Sequence, residues 1–404
     1  MRHPKHFRRR GAAAAAVAVT GTVLIAFAAL AIDMGVFYNT RIEAQRSADA
    51  GALAGAWKLL GDERVKGATG VATLVDQARQ AAAEVAGLNE VFKAGPQVDL
   101  NVANAAGGDI ILGRLDNPSN LAEPLATAVD PSEFNSVSVL VRRDNVRNGP
   151  IPFFFGQIFG FRNKDMSARA VATARNTIAG YRVTNKTGNA QLLPFTVHVD
   201  AWNGLLNGTV TTGDNFRYDP VTKTVSPGSD GIYEINMYPG AGNGQGNGKK
   251  PKESSDGQLP PGNFGTVDIG AANNSTADIS RQIRYGISAA DLAHLGGELR
   301  FNNDGKIYLN GDTGLSAAVK DDLEAIKGQP RAIPLFTHVS GPGNNATYTI
   351  VAFAGIRVMD VKLTGSMSSK AVIVQPAVVV DDAVIVEDVN VPSYFVYYPP
   401  SLVR

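Results

Sequence analysis

The hydrophobic positions near the N-terminus form one uninterrupted run. Residues Ala12 to Ile32 include no charged side chain. At about 1.5 Å of rise per residue, a helix of this length spans the roughly 30 Å hydrocarbon core of a bilayer. The pattern therefore predicts a transmembrane helix over residues 12–32.

Helical character continues beyond this run. Residues Met34 to Leu60 contain no proline and are rich in Ala, Leu, Arg, Glu and Gln, which favour helix. One long helix over residues 12–60 is therefore predicted. Small residues recur on it at helical spacing: Ala44, Ala48, Ala52 and Ala56, with Gly51 and Gly55 forming a G-x-x-x-G pattern. Such a face allows close approach by another helix. The alternative is that alanine serves only as a helix former, and the sequence leaves both interpretations open.

The apolar run has three interpretations. A cleaved signal peptide would use the A-x-A sites at residues 26–28 or 29–31, but its apolar core is usually 7–15 residues, shorter than this run. A prepilin-type leader would be cut beside Gly11, yet Ala16 stands where pilins carry glutamate. An uncleaved signal anchor is the favoured interpretation.

The charges on either side of the run predict its orientation. Five basic residues precede it, namely Arg2, Lys5, Arg8, Arg9 and Arg10, and Asp33 follows it. By the positive-inside rule, residues 1–11 are cytoplasmic and the chain after Asp33 is exported. A carboxylate in hydrocarbon costs about 2.5–3.5 kcal/mol, so Asp33 is predicted at the far interface or paired with a polar group of a partner helix.

The rest of the chain is predicted to form two extracytoplasmic α+β units. The first, residues 61–178, has apolar positions at helical spacing over residues 71–88 and strand patterns at residues 98–102, 110–112 and 137–141. The aromatic segment 151–161 is too short to span a bilayer, and core packing is the favoured interpretation, with contact to a membrane or an apolar partner as the alternative. Residues 166–177 form a strand or a helix.

The second unit, residues 179–404, is predicted to be β-rich with a flexible Gly/Asn loop at residues 239–263. Short helices are predicted after Ser288 and over residues 316–327. Strand patterns cover residues 195–199, 333–339, 348–353, 356–363, 371–380 and 384–389. The predicted segments are a cytoplasmic basic segment (1–11), a transmembrane helix (12–32), a juxtamembrane helix (33–60) and the two α+β domains (61–178 and 179–404).

Composition limits the chemistry available. The absence of cysteine excludes disulfides, thiol nucleophiles and cysteine-ligated metals. No phosphate-binding G-x-x-x-x-G-K-[ST] motif occurs, the five histidines are scattered, and Asn302 to Gly305 reads as a turn because Arg300 and Gly311 stand where a calcium loop needs oxygen ligands. The carboxylate pairs Asp381-Asp382 and Glu387-Asp388 read as solvated turn residues. The sequence thus predicts no catalytic, cofactor or metal site. The net charge is only +1, and five basic residues are concentrated at the N-terminus, so nucleic-acid binding by the rest of the chain is not expected.

One stretch of sequence resembles a known family. It combines Arg9-Arg10-Gly11, the apolar run, Asp33-Met34-Gly35, Tyr38 and the segment from Gln45 to Ala56. This combination resembles the N-terminal segment of TadG-like proteins of Flp (tight adherence, Tad) pilus assembly, with Gly51 in place of the usual alanine. The predicted helix-packing signature is Gly35, Tyr38, Ala48, Asp49, Gly51 and Gly55. The D-x-S-x-S metal motif of the von Willebrand A domain found in some members is absent.

The resemblance implies a single-pass protein of the bacterial inner membrane, mostly periplasmic and accessory to pilus assembly. The leading hypothesis is a non-enzymatic anchor protein that contacts the lipid bilayer and, through the 33–60 helix and the periplasmic domains, other pilus-assembly proteins. Homo-oligomerisation stays open. The alternatives are an envelope ligand-binding protein or hydrolase that uses the C-terminal domain, and a minor pilin-like subunit.

Overall fold

The computed structural model describes residues 10–238, 265–270, 275–311, 317–341, 345–366, 369–387 and 393–403. The α-helices are α1 (Arg10–Lys58), α2 (Ala68–Leu88), α3 (Val199–Leu206), α4 (Thr276–Tyr285), α5 (Ala289–Ala293) and α6 (Lys320–Ala325). The strands are β1 (Ile110–Gly113), β2 (Ser136–Arg143), β3 (Ile151–Pro152), β4 (Asn163–Lys164), β5 (Met166–Arg175), β6 (Ile178–Tyr181), β7 (Val197–His198), β8 (Phe216–Asp219), β9 (Thr224–Pro227), β10 (Ile235–Tyr238), β11 (Leu299–Arg300), β12 (Ile307–Asn310), β13 (Pro330–Ser340), β14 (Thr347–Lys362), β15 (Ala371–Pro376), β16 (Val379–Val380), β17 (Val384–Val386), β18 (Ser393–Tyr394) and β19 (Val396–Leu402). The predicted α+β class is confirmed.

Helix α1 is continuous over 49 residues, which confirms the predicted long helix. Its apolar N-terminal half is long and apolar enough to cross a membrane, and nearly all of it is exposed. Its C-terminal half is covered by the rest of the chain, and Ala44, Ala48, Ala52 and Ala56 are fully buried there. The same helix therefore combines an exposed apolar half with a packed half.

Helix α2 is the helix that approaches the small residues of α1. A Cβ atom added at Gly51 would lie 2.8 Å from the carbonyl oxygen of Ala82, and one at Gly55 would lie 3.2 Å from that of Ala78. The Ser47 hydroxyl donates a hydrogen bond of 2.9 Å to the Ala86 carbonyl. The small residues thus allow α1 and α2 of one chain to pack closely.

The two helices cover a five-stranded sheet. Its strand order is β1-β2-β5-β19-β16. The pairs β1–β2, β2–β5 and β5–β19 are antiparallel, and β16 is parallel to β19. The segment that the sequence left between strand and helix is therefore strand β5. Alanines of α1 and α2 and apolar side chains of β1, β2 and β5 share one buried core.

The strand predicted over residues 98–102 is wrong, because these residues form a loop. Asn101 and Asn104 have φ of 50° and 53°, which extended backbone excludes. The Asn104 side chain pairs with both backbone groups of Leu112, at 2.9 and 2.8 Å. The buried Arg79 donates to the Leu100 carbonyl at 2.9 Å and to Asn104 Oδ1 at 3.0 Å. Side chains therefore take the place of strand pairing here.

A larger, mostly antiparallel sheet follows in the order β10-β15-β14-β13-β7, and β12 and β18 also pair with β14. The runs predicted at 348–353 and 356–363 form a single strand, β14, through Gly355. A Cβ atom at Gly355 would lie 2.2 Å from the Ala377 carbonyl oxygen, so glycine allows close approach of the segment of the same chain that contains Ala377. A smaller sheet has the order β11-β6-β17.

The helix predicted after Ser288 is α5, where Ser288 and Asp291 form a capping box. Of the helix predicted over residues 316–327, the structure has a 3-10 turn at Ala317–Val319 followed by α6. The predicted loop at residues 239–263 lies outside the described residues.

Ion pairing and strand pairing are among the contacts that join the predicted domains. Asp62 forms an ion pair of 2.7 Å with the buried Arg357 and accepts a hydrogen bond of 3.0 Å from the Val378 amide. Strand β19 lies beside β5, so a strand from the second half of the chain completes the first sheet. The division near residue 178 stays a prediction, and two strands from beyond it, β16 and β19, belong to the first sheet.

Candidate functional site at the end of the apolar helix

Asp33 is the only charged residue between Ala12 and Gly35, and its side chain faces the folded part of the chain. It is 5% exposed. Its carboxylate accepts hydrogen bonds from the backbone amides of Phe154 at 2.8 Å, Phe155 at 3.0 Å and Gly156 at 2.7 Å. The polar partner of Asp33 is therefore backbone of its own chain, which neither sequence alternative anticipated.

These amides belong to a closed loop, residues 153–161, which we call the aromatic loop. Strands β3 and β4 pair at its base. Within it, the Phe153 amide donates to the Arg162 carbonyl and the Phe161 amide to the Gly156 carbonyl, both at 3.0 Å. A 3-10 turn covers Gly156–Phe159. Asp33 thus fastens an internally bonded loop to α1.

The aromatic loop is exposed, so the favoured interpretation of core packing is wrong for it. Its exposed apolar side chains are Phe154, Phe155, Ile158, Phe159 and Phe161. The most exposed, Ile158, is 77% accessible. The buried apolar residue of the segment is Ile151, at its base. Backbone bonds to Asp33, rather than side-chain burial, hold the loop in place.

An apolar groove of about 340 Å³ runs between the aromatic loop and α1. Val23, Phe27 and Leu30 line it from the helix, and Phe155, Phe159 and Phe161 line it from the loop. The loop therefore lies alongside the apolar half of the helix, at the same position along the helix axis.

The predicted signature residues fall into two groups. Ala48, Gly51 and Gly55 are buried against α2 and the first sheet, whereas Gly35 and Tyr38 are exposed on α1. Asp49 is half-buried and accepts a hydrogen bond of 2.8 Å from Gln45, whose amide also donates to the Arg169 carbonyl at 3.2 Å. Of the predicted topology residues, Asp33 has the contacts above, Arg10 begins α1, and Arg8 and Arg9 lie outside the described residues.

Two features of this site could not be found from the sequence motifs alone. The aromatic loop was recognised as unusual, but no pattern joined it to Asp33, 121 residues earlier in the chain. Arg79 was not singled out either, since an arginine within an amphipathic helix ordinarily marks the solvent face. Burial lowers its pKa, and its hydrogen bonds to the 98–110 loop explain why the helix places it inward.

Residues of the second predicted domain form a polar cleft of about 520 Å³ lined by Arg281, Asp291 and His294. Arg281 donates to the buried Asp291 carboxylate at 2.9 and 2.5 Å. Burial alone would raise the pKa of Asp291, but hydrogen bonds from Arg281 and Ser288 outweigh it and lower that pKa to about 2. The charges of Arg281 and Asp291 thus compensate each other, and Asp278, which also lines the cleft, lies 3.7 Å from Arg281.

The depressed pKa of Asp291 predicts an acid-sensitive contribution to stability. The unfolded carboxyl group has a pKa of about 3.9, so the ionised form stabilises the fold above that pH and its contribution is lost as the pH falls towards 2. We expect Asp291→Asn to lower the free energy of unfolding by about 2 kcal/mol at pH 7 and to flatten the decline between pH 5 and 2.

Urea unfolding of the full-length protein, followed by the fluorescence of the buried Trp202, measures this dependence. The control is Asp304→Asn, at an exposed turn carboxylate. Equal slopes for the two variants between pH 5 and 2 would contradict the assignment.

The other candidate chemical groups are dispersed among the described residues. His198 caps α3, while His294 and His338 are exposed, and His3 and His6 lie outside the description. Burial raises the pKa of Asp381, which accepts backbone hydrogen bonds from Gln191 and Ala383, while Asp382 is exposed and Asp388 is not described. Asn302 accepts from the Asp304 and Lys306 amides, as a turn residue does. Within the described ranges, no group of three or more His, Asp or Glu residues is placed to hold a metal ion.

The geometry defines a class: a single helix whose apolar half is exposed, whose other half packs on a sheet, and to which a loop is fastened at Asp33. The comparisons agree with this class. Residues 11–58 match a family model described as Flp pilus-assembly TadE/G-like, and residues 54–172 match one described as Tad-like Flp pilus-assembly. These matches over residues 11–172 confirm the resemblance to TadG-like Flp pilus-assembly proteins. No curated protein and no solved structure matches the chain.

Proposed function

We propose that this protein is a non-enzymatic, membrane-anchored accessory component of Tad pilus assembly, with α1 as its anchor and the two α+β domains outside the cytoplasm. The observation that carries the proposal is the continuity of α1. Its exposed apolar half suits lipid, and its other half belongs to the core of a domain that matches the pilus-assembly models. A domain rigidly joined to its anchor can hold a partner at a fixed distance from the membrane.

The surface available to partners differs from the one first expected. The small-residue face of the 33–60 helix is occupied by α2, so it is not free for another protein. Outside the region covered by α2, the helix α1 exposes Tyr38, Ile42 and Trp57. We propose that this exposed surface, together with the two domains, contacts other pilus-assembly proteins, and that any homo-oligomer forms there as well.

A genetic test separates this role from an enzymatic one. Deletion of the gene in a strain that makes Tad pili should abolish or strongly reduce piliation and adherence, and the full chain should restore both. Asp291→Asn, placed in the polar cleft, should restore them as well. Normal piliation after deletion would contradict the assembly role, and failure of the Asp291 variant to complement despite normal protein levels would favour the ligand-binding or hydrolase alternative.

The proposed topology predicts the outcome of limited proteolysis. Protease added to spheroplasts should digest the chain beyond Asp33 and leave a membrane fragment that retains residues 1–11, because the basic cluster favours the cytoplasmic side. Mass spectrometry of the fragment should find the original N-terminus. Protection of the domains would overturn the orientation. A mature N-terminus beside Gly11 would favour the minor-pilin alternative, and one near Ala29 or Ile32 a cleaved signal peptide.

A further inference from the structure

We propose that the aromatic loop enters the outer half of the bilayer beside α1 and binds lipid acyl chains. This inference rests on the proposed membrane anchoring by α1. The groove between loop and helix reaches from Asp33 back to Val23, which is roughly 15 Å along the helix. Because residues 12–32 are the spanning segment, a loop that lies against Val23 and Phe27 is at the depth of hydrocarbon.

The side chains of the loop suit that environment. Phe154, Phe155, Ile158, Phe159 and Phe161 project from nine consecutive residues, a contiguous apolar patch that water would not favour. Arg162 and Lys164 follow at the base of the loop and are exposed. Basic side chains at this position can reach anionic headgroups while the apolar tip lies deeper.

The backbone of the loop suits lipid as well. Hydrocarbon offers no hydrogen-bond partners, so non-helical backbone at that depth must bond within the protein. Asp33 accepts from the amides of Phe154, Phe155 and Gly156. The amides of Phe153, Ile158, Gly160 and Phe161 bond to carbonyls of the same segment. Asp33 therefore accepts hydrogen bonds from three amides that would otherwise lack a partner in hydrocarbon and make insertion costly.

The same contacts explain how Asp33 can lie beside hydrocarbon. Its carboxylate is almost fully covered and has three amide donors, so it needs neither bulk water nor a charged group from a partner helix. Lipid is favoured as the occupant over a second protein because the loop and the exposed half of α1 form one continuous apolar surface at the same depth in the bilayer. A partner helix or a second copy on this surface is an outcome that the test can detect.

The cysteine-free chain allows this to be tested with single cysteines in the full-length protein. The variants are Ile158→Cys in the loop, Val23→Cys on the spanning helix and Val221→Cys, an 89% exposed residue of the β8–β9 turn, as the matched control. Each is labelled with an environment-sensitive fluorophore and placed at one copy per lipid nanodisc containing acyl-chain nitroxide lipids. The labels at 158 and 23 should lose most of their fluorescence, and the label at 221 should keep it.

The outcomes separate the inference from the proposed function. Quenching at 23 without quenching at 158 would overturn lipid insertion of the loop and leave the anchor intact. No quenching at 23 would contradict the membrane anchor, and the inference with it. Quenching at 158 that is lost when several copies share a disc, with cross-linking between them, would show that a second copy displaces lipid from the loop and would overturn lipid as its occupant. Adding Asp33→Ala to the 158 variant should reduce its quenching, since the loop is then no longer fastened.

Discussion

Replacing Gly51 with leucine should force α1 away from α2 and destabilise the first domain by about 3 kcal/mol or more. A Cβ atom at this position would lie 2.8 Å from the Ala82 carbonyl oxygen and 3.0 Å from the Ala86 Cβ atom. The first neighbour is backbone, so it cannot rotate aside as a side chain could. We therefore expect the helix pair to separate or the domain to remain partly unfolded.

The matched control for this prediction is Gly35→Leu. It makes the same substitution in the same helix, but a Cβ atom at Gly35 meets no atom within 4 Å. Because leucine favours helix over glycine, we expect Gly35→Leu to be neutral or to stabilise the helix by up to about 1 kcal/mol. Rates of proteolysis of the first domain in nanodiscs measure both variants. Equal protease resistance would show that α1 and α2 do not pack through Gly51.

Replacing Asp33 with alanine should release the aromatic loop while α1 remains inserted. Three amides lose their acceptor, and each buried donor without a partner costs about 1–3 kcal/mol. We expect the loop amides to exchange hydrogen about a hundredfold faster, which corresponds to about 3 kcal/mol of local stability. Asp33→Asn should fall between, because its side chain keeps one acceptor oxygen.

Hydrogen exchange read by mass spectrometry on peptides covering residues 150–165 measures this release. Glu84→Ala, at an exposed carboxylate on α2, is the control and should leave exchange unchanged. In a strain that makes Tad pili, Asp33→Ala should reduce piliation more than Asp33→Asn does. Unchanged exchange in Asp33→Ala would show that the loop holds its position without the carboxylate.

The local sequence pattern was sufficient to predict those elements whose buried and exposed faces are set by the spacing of their own residues. The spanning run, the long helix α1 and the amphipathic α2 all follow from spacing and propensity, and β2 follows from alternation. The small residues of α1 indicated close packing, but sequence could not say whether the approaching helix was part of the same chain. That information depends on the tertiary path of the chain rather than on periodicity.

The predictions that were wrong share one physical reason: contacts between residues far apart in the chain determined the structure in place of the local sequence pattern. Residues 98–102 alternate like a strand, but Asn101 and Asn104 adopt positive φ and bond to β1. Gly355 looked like a break between strands, yet it lies inside β14 because another chain segment passes close to it. No strand was predicted for residues 396–402, which form β19, and Pro399 and Pro400 lie where its register with β5 shifts. The aromatic loop is hydrophobic for a reason other than core packing.

Strand β19 has a consequence for the order in which the protein can be completed. It fills the edge of β5 with residues 396–402, more than 200 positions later in the chain. If the chain is exported as we propose, the first sheet carries an open edge while the polypeptide crosses the membrane, and this edge invites pairing with other strands. Only after residue 402 has emerged can that edge close. A chain whose export stalls would keep the edge open, so proteases and chaperones of the receiving compartment could distinguish it from one whose export is complete.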